Sequence, residues 1–124
     1  MTPWTADELQ RVGDAEELRV ASRRKDGSLR PYVTIWVVRA DDDIYIRSAY
    51  GADNPWYRRA KASGRGRIRA GGVERDVTFT DPGRAVDELV DAAYHRKYDR
   101  YGRLVDTVVG ATAAAATLLV LPED

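Results

Sequence analysis

Pro31-Tyr32-Val33-Thr34-Ile35-Trp36-Val37-Val38 is β-branched or aromatic at nearly every position. Such side chains are stiff near the backbone and suit a pleated surface, so the run predicts a strand. Odd and even positions are both apolar, so both faces should be covered, as in the centre of a sheet. Pro31 at the start is tolerated, because its missing N–H removes no interior ladder bond. Just upstream, Lys25-Asp26-Gly27-Ser28 carries an Asp-Gly turn signal. Before it, Leu18, Val20 and Ser22 alternate with Arg19, Ala21 and Arg23, the period of a half-buried strand. A first hairpin follows from these two observations. Downstream, Asp41-Asp42-Asp43 is a polar turn and Ile44-Tyr45-Ile46-Arg47-Ser48 the next strand.

Helical signals lie further out. Thr5 and Glu8 have the spacing of a capping box, with Trp4 and Leu9 placed as a hydrophobic staple, so a short helix is expected from about Ala6 to Val12, stopped by Gly13. Asn54-Pro55 gives an N-cap followed by proline at the first helical position, opening a helix over Trp56 to Ser63 that ends at Gly64. Arg67 to Ala70 and Val73 to Thr80 flank Gly71-Gly72 as a second hairpin. Asp81-Pro82 repeats the cap-then-proline pattern. The helix after it carries Val86, Leu89, Val90, Ala93, Tyr94, Lys97, Tyr98 and Tyr101 near a 3.6-residue period, up to Gly102. Ala111 to Ala116 is expected to make a helical turn, and Thr117 to Leu121 a closing strand. The fold class that results is α+β: about six mainly antiparallel strands with a short helix inserted mid-sheet and a C-terminal helix. Closing the strands into a barrel would remove exposed sheet edges.

The chain of 124 residues is expected to form a single domain, residues 1–124, large enough for an unstapled core. It has no cysteine, which excludes disulfides, thiolate metal sites and cysteine nucleophiles and fits a reducing, cytoplasmic setting. No apolar run is long enough for a membrane span, and the N-terminus has no signal-peptide pattern. The 20 basic and 20 acidic residues give a net charge of +0, against the basic excess of a nucleic-acid binder. Charge is nevertheless segregated: Arg58, Arg59, Lys61, Arg65, Arg67 and Arg69 follow one another with no acid between them.

The chemistry-bearing residues divide as follows. A phosphate needs convergent forked donors, which Arg47, Arg58 and Arg59 around the Asn54-Pro55 helix start could supply. Arg65, Arg67 and Arg69 read more simply as a solvated strand face. Tyr94, Tyr98 and Tyr101 share a helical face, as packing residues or as phenols lining a substrate. Trp36 and Trp56 could wall a flat ligand, Trp36 being the better core candidate. His95 is the single histidine, so neither a zinc site nor a histidine-based nucleophile is expected. Asp41-Asp42-Asp43 lacks the spacing of a calcium loop, and Gly64-Arg65-Gly66 runs helix-to-strand, the reverse of a dinucleotide fingerprint.

Arg24 to Val38 resembles the second and third strands of the flavin-binding split barrel, the superfamily of pyridoxamine-phosphate oxidases. Asn54-Pro55-Trp56-Tyr57 with Ala60, then Ile68 to Gly72, resembles the Pro-x-Trp-Tyr helix and Gly-Gly hairpin of deazaflavin-dependent nitroreductases. Tyr98 and Tyr101 before the last strand resemble that branch's tyrosine-rich tail. Within the superfamily the whole chain looks closest to a family of short bacterial proteins of unknown function. The resemblance implies a six-stranded split barrel and a homodimer with the cofactor ring, FMN or a deazaflavin coenzyme, at the subunit interface. It further implies that Thr34 and Trp36 flank the ring. Arg30, Arg47, Ser48, Tyr50 and Asn54 would lie towards the ribityl chain and phosphate. Trp56, Tyr57 and Arg59 would line the helix side, and Tyr98 and Tyr101 the substrate. In the deazaflavin branch a lysine precedes the Pro-x-Trp-Tyr helix; here Ala52-Asp53-Asn54 stands there. The function so implied is hydride transfer to or from a small organic molecule. The alternative is a split barrel that binds a ligand or partner without a cofactor or a reaction.

Overall fold

The computed structural model describes residues 3–123. In chain order the elements are α1 (Ala6–Asp14), β1 (Leu18–Ser22), β2 (Val33–Ile35), β3 (Val38–Ala40), β4 (Asp43–Arg47), α2 (Pro55–Ser63), β5 (Arg65–Ala70), β6 (Val73–Thr80), α3 (Asp87–Tyr98), a 3-10 segment (Asp99–Thr107), α4 (Ala111–Ala114) and β7 (Thr117–Pro122). The strands form one antiparallel sheet of seven, ordered β2-β1-β5-β6-β7-β4-β3.

That order dictates the shape. β2 and β3 are the two edges of the sheet, yet only Trp36 and Val37 separate them in sequence. From Ile35 to Val38 the chain can reach at most ~11 Å, whereas a flat seven-stranded sheet is about 29 Å across. The sheet must therefore curl until its edges approach, leaving a barrel open along one seam. The stretch read as a single central strand is two edge strands, which raises the count from the expected six to seven. Its double-sided apolar pattern has another cause: Val37 and Val38 are buried, whereas Val33 is 38 % exposed on the free edge.

Helix α3 holds the break in place. The Tyr98 hydroxyl accepts the Val37 N–H at 3.1 Å and lies within donating distance of the Glu16 and Val37 carbonyls, at 2.9 and 3.0 Å. Lys97 Nζ donates to the Val37 carbonyl at 2.7 Å. The polar groups of Val37, which a continuous ladder would have satisfied, are satisfied by side chains instead.

Two apolar clusters flank the sheet. Leu18, Val20, Ile44, Ile46, Ile68 and Leu118 belong to the first, onto which α1 brings Leu9 and Val12 and α2 brings Trp56 and Ala60. The second joins Val38, Ala40 and Tyr45 to Val90, Tyr94 and Tyr98 of α3. Strand β4 thus sends Ile44 and Ile46 to one cluster and Tyr45 to the other, the alternation of a strand buried on both faces.

Local signals fared unevenly. The Thr5–Glu8 capping box is present, with bonds of 3.1 and 2.9 Å, and Trp4 joins Leu9 in the core while its indole N–H donates to the Val120 carbonyl at 3.0 Å. Gly71 and Gly72 turn the β5–β6 hairpin with φ of 56° and 84°, values open to glycine at no cost. Asn54 sits at the N-cap of α2 but its side chain makes no capping bond. Asp81 does not open α3: its carboxylate accepts the Gly83 N–H at 2.9 Å in a local turn, and the helix starts at Asp87. Gly102, with φ 63°, kinks the chain into further 3-10 turns instead of ending it.

Lys97 gives the seam a pH signature. Burial pushes its ammonium pKa down from 10.5 to about 8, against the opposing pull of Glu16 and Asp14. Between about pH 8 and 10 the unfolded chain therefore binds more protons than the folded one, and stability rises with pH. Near pH 10 the trend reverses, because burial pushes the Tyr94 and Tyr98 phenols up, so they ionise only when unfolded. The urea midpoint of the wild type should rise from pH 7.5 to 9.5 relative to that of Lys97→Met; parallel midpoints would contradict this.

Candidate functional site

Two concavities border the start of α2. The first is a groove of about 350 Å³. Val33, Thr34, Ile35 and Trp36 form one wall; Ala49, Tyr50, Asn54 and Trp56, from the loop and start of α2, form a second; Leu104, Thr107 and Val108 close the third. As an edge strand, β2 also keeps an outer row of backbone N–H and C=O groups without a strand partner. Trp36 is backed by Tyr98, the rings stacked 4.2 Å apart and 6° from parallel, with Tyr101 at 5.5 Å. Tyr50 stands at the rim, 81 % exposed and held at φ 66°, a strained conformation for a tyrosine, with its N–H on the Thr107 carbonyl at 3.1 Å.

The second concavity is a cleft of about 920 Å³ lined on the α2 side by Pro55, Arg58, Arg59, Ala62 and Ser63, a single helix face. The opposite wall is the β1–β2 turn with Arg23, Arg24, Lys25 and Arg30, and Arg65 completes it. A small cavity of about 20 Å³, the neck, shares lining residues with both. Arg30 and Arg59 are shared by neck and cleft, and Val33 and Trp56 by neck and groove. No carboxylate lines the cleft. Arg23 pairs with Asp76, and Arg65 with Glu123. Among the described residues no carboxylate lies within ion-pair distance of Arg24, Lys25, Arg30, Arg58 or Arg59. Asp53, which replaces the expected lysine, is exposed and lines neither concavity.

The sequence-derived residues therefore separate. Arg30, Thr34, Trp36, Tyr50, Asn54, Trp56 and Arg59 all border one or more of these cavities. Arg47 reaches the floor of the groove, but its side chain is buried and four of the five guanidinium N–H groups are engaged: Nε donates to Thr117 Oγ1 at 2.8 Å, Nη1 to Asp91 and to the Val108 carbonyl at 3.0 Å, and Nη2 to the Asp87 carbonyl at 3.2 Å. It ties β4 to α3 and has no charge left for a phosphate. Ser48 is fully buried, with its backbone N–H on the Ala116 carbonyl. Tyr57 is core, and its hydroxyl comes only within 3.5 Å of the Ala115 carbonyl. Tyr98 is buried under Trp36, and Tyr101 binds Glu16 through its hydroxyl; neither lines the groove.

The plain reading of the outward arginines holds for Arg67 and Arg69, whereas Arg65, paired with Glu123, also lines the cleft. Arg67 bonds Asp76 at 2.9 Å and Glu74 at 3.3 Å, and Arg69 pairs with Glu74 and covers the Tyr32 ring at 4.6 Å. The Arg67 hydrogen bond, above all, holds the Asp76 carboxyl below its usual range. Sequence reasoning missed Arg24 and Lys25, although three consecutive cations, Arg23-Arg24-Lys25, at a hairpin turn were a signal. Leu104 and Thr107 gave none, because only the Gly102 kink brings them to the groove. Among the described residues no three histidine, cysteine or acidic side chains gather as a metal site, and no helix is long and apolar enough to cross a membrane.

A curled antiparallel sheet with a seam, a helix inserted after its fourth strand and a helix across its outer face define the flavin-binding split-barrel fold. The same architecture occurs in solved structures. The haem storage protein HutZ from Vibrio cholerae superposes with a TM-score of 0.62 at 10% identity, covering 99% of this chain and 92% of that one. An F420 reductase gives 0.54 at 17% identity, covering 99% and 97%. A FAD- and haem-binding protein from Mycobacterium smegmatis gives 0.53 at 19% identity, covering 98% and 67%. No curated protein matches the sequence. The chain belongs to the family of uncharacterised proteins conserved in bacteria, DUF2255, whose model matches residues 8–120.

Proposed function

We propose that the protein is a homodimeric, flavin-type cofactor-binding oxidoreductase that transfers hydride to or from a small organic molecule. The observation that carries this reading is the adjacency of an aromatic-walled groove and a basic cleft lined by no carboxylate, with Arg30, Arg59, Val33 and Trp56 around the small cavity that borders both. On this reading a planar ring would lie between Trp36 and Trp56, which both line the groove, with its polar edge towards Thr34 and the free backbone of β2. The ring's chain would pass the neck, where Arg30 and Arg59 would hold a phosphate through charge-assisted bonds. HutZ and the M. smegmatis protein are described as haem storage or haem binding. Here, however, the lining of the groove contains no histidine, cysteine or methionine, and His95 lies elsewhere, bonded to Asp99 at 2.8 Å. A flavin or deazaflavin, which needs no axial ligand, is the better match.

Such a cofactor supplies the hydride chemistry itself. The protein's part is orientation, exclusion of water and at most one proton. The groove walls contain no carboxylate, imidazole or lysine, so the Tyr50 phenol and the Thr34 and Thr107 hydroxyls are the available donors. That scarcity is what supports a second reading, a split barrel that has lost its cofactor and serves as a ligand-binding or interaction module without a reaction. Titrating the purified protein with FMN or a deazaflavin should quench tryptophan emission saturably. Unchanged emission with both would sink the proposal, and saturable binding of another small molecule with neither cofactor bound would select the second reading.

Surface chemistry supports a second copy as the partner. Of the exposed large apolar side chains, Val33, Tyr50 and Leu104 all border the groove, and Leu104 is 58 % exposed. A second copy laid over them would bury the patch and supply the ring's missing wall. Leu104→Asp should shift the sedimentation coefficient from dimer to monomer and weaken cofactor binding by about tenfold or more, as expected when a central apolar contact is lost. A wild-type monomer at micromolar concentration would contradict the dimer.

A further inference from the structure

We infer that the cleft is built for a ligand with at least two anionic groups in series, the outer one held by Arg24, Lys25 and Arg58, so that a dinucleotide or acid-tailed ring cofactor is preferred over a mononucleotide. The inference rests on the proposed seating of the ring. From there the first anionic group reaches the neck, where Arg30 and Arg59 form one two-arginine site. Two arginine forks satisfy one phosphate. The cleft does not end there. It continues into a volume far larger than the groove, about 920 against 350 Å³. Facing that space are Arg24, Lys25 and Arg58, and among the described residues none has a carboxylate partner. The Arg24 guanidinium bonds Ser28 Oγ at 3.3 Å and the Leu29 carbonyl at 3.0 Å; the Ser28 hydroxyl in turn donates to Asp26 at 2.6 Å, so a carboxylate one hydroxyl away positions Arg24 and offsets part of its charge without pairing with it directly.

Elsewhere on the surface Arg11, Arg39, Arg67, Arg69, Arg75 and Arg84 each have a carboxylate within ion-pair distance. Among the described residues Arg19, Lys61, Arg96 and Arg103 also lack one, but they line no common concavity; what sets the cleft apart is the convergence of five such cations on one space. In a chain with equal numbers of acids and bases, cations left unpaired around one concavity concentrate positive potential there, and a single phosphate at the neck would leave the outer group of charges facing one another. A pyrophosphate and an acidic tail meet that geometry equally, and the two are separated by experiment.

The test is a titration series followed by tryptophan quenching: riboflavin, FMN, FAD and a deazaflavin coenzyme with its acidic tail, against wild type and Arg24→Ala/Lys25→Ala/Arg58→Ala. Affinity should rise from riboflavin to FMN and by a further ~tenfold to one of the two longer ligands, which identifies the source of the second charge. The triple variant should reduce that ligand to the level of FMN and leave FMN within about twofold, with an unchanged melting temperature. FMN binding as tightly as both longer ligands, or the variant weakening FMN equally, would overturn the inference and leave the proposed function intact. An oligonucleotide that binds more tightly than any ring ligand, with steep salt dependence, would overturn it as well. Failure of every ring ligand to bind would remove both.

Discussion

Arg47→Ala should cost about 3–5 kcal/mol of folding stability while leaving cofactor affinity per folded molecule unchanged. The side chain is buried at the junction of β4, α3 and the 3-10 segment, where it serves Thr117, Asp91 and two carbonyls. Truncation would leave these acceptors without a donor and open a cavity beside Tyr94, whose ring lies 5.7 Å from the guanidinium. Asp91 retains access to water, its side chain being 32% exposed, so the loss should fall towards the lower end of the range. Even that is a large part of the ~5–15 kcal/mol that holds a domain folded. Urea denaturation reads the loss directly. A variant that folds normally but no longer binds cofactor would return Arg47 to the phosphate role its sequence position suggested.

Tyr98 should show a second large effect, of two sizes. Tyr98→Ala removes a buried ring from the second cluster and from beneath Trp36, an expected loss of about 3–5 kcal/mol and a fall in melting temperature of about 10–15 °C. Tyr98→Phe keeps the ring but leaves the Val37 N–H without its acceptor in a buried setting, costing about 1–3 kcal/mol. The phenylalanine variant should exchange the Val37 amide faster than the wild type, since that bond closes the break between β2 and β3. If Tyr98→Phe left both stability and exchange unaltered, the seam would be held by something other than α3.

These residues mark where the sequence was legible. Turns, the capping box, the inserted helix and both hairpins are set by neighbours in the chain, and they were read correctly from local patterns. The double-sided apolar run at Pro31–Val38 was not. A strand buried on both faces and a strand that leaves one sheet edge to begin the other give the same pattern. What distinguishes them is a tyrosine and a lysine some 60 positions away. Arginine roles were ambiguous for the same reason. Arg47 and Arg59 look alike in sequence, but the fold places Asp91 against the first and no described carboxylate against the second. Aromatic candidates divided similarly: Trp56 belongs to the first core cluster yet also borders the groove at the start of α2, whereas Tyr57, one position on, lies in that core and lines no part of the groove.

The three indole N–H groups measure the central claim directly. Trp36 and Trp56 wall the groove, whereas Trp4 is sealed in the core with its N–H on the Val120 carbonyl, 3.0 Å away. In a proton–nitrogen NMR titration with oxidised flavin, the Trp36 and Trp56 indole signals should shift and saturate together while the Trp4 signal stays fixed. Saturable binding that moves neither Trp36 nor Trp56 would place the ligand elsewhere on the molecule and contradict the account.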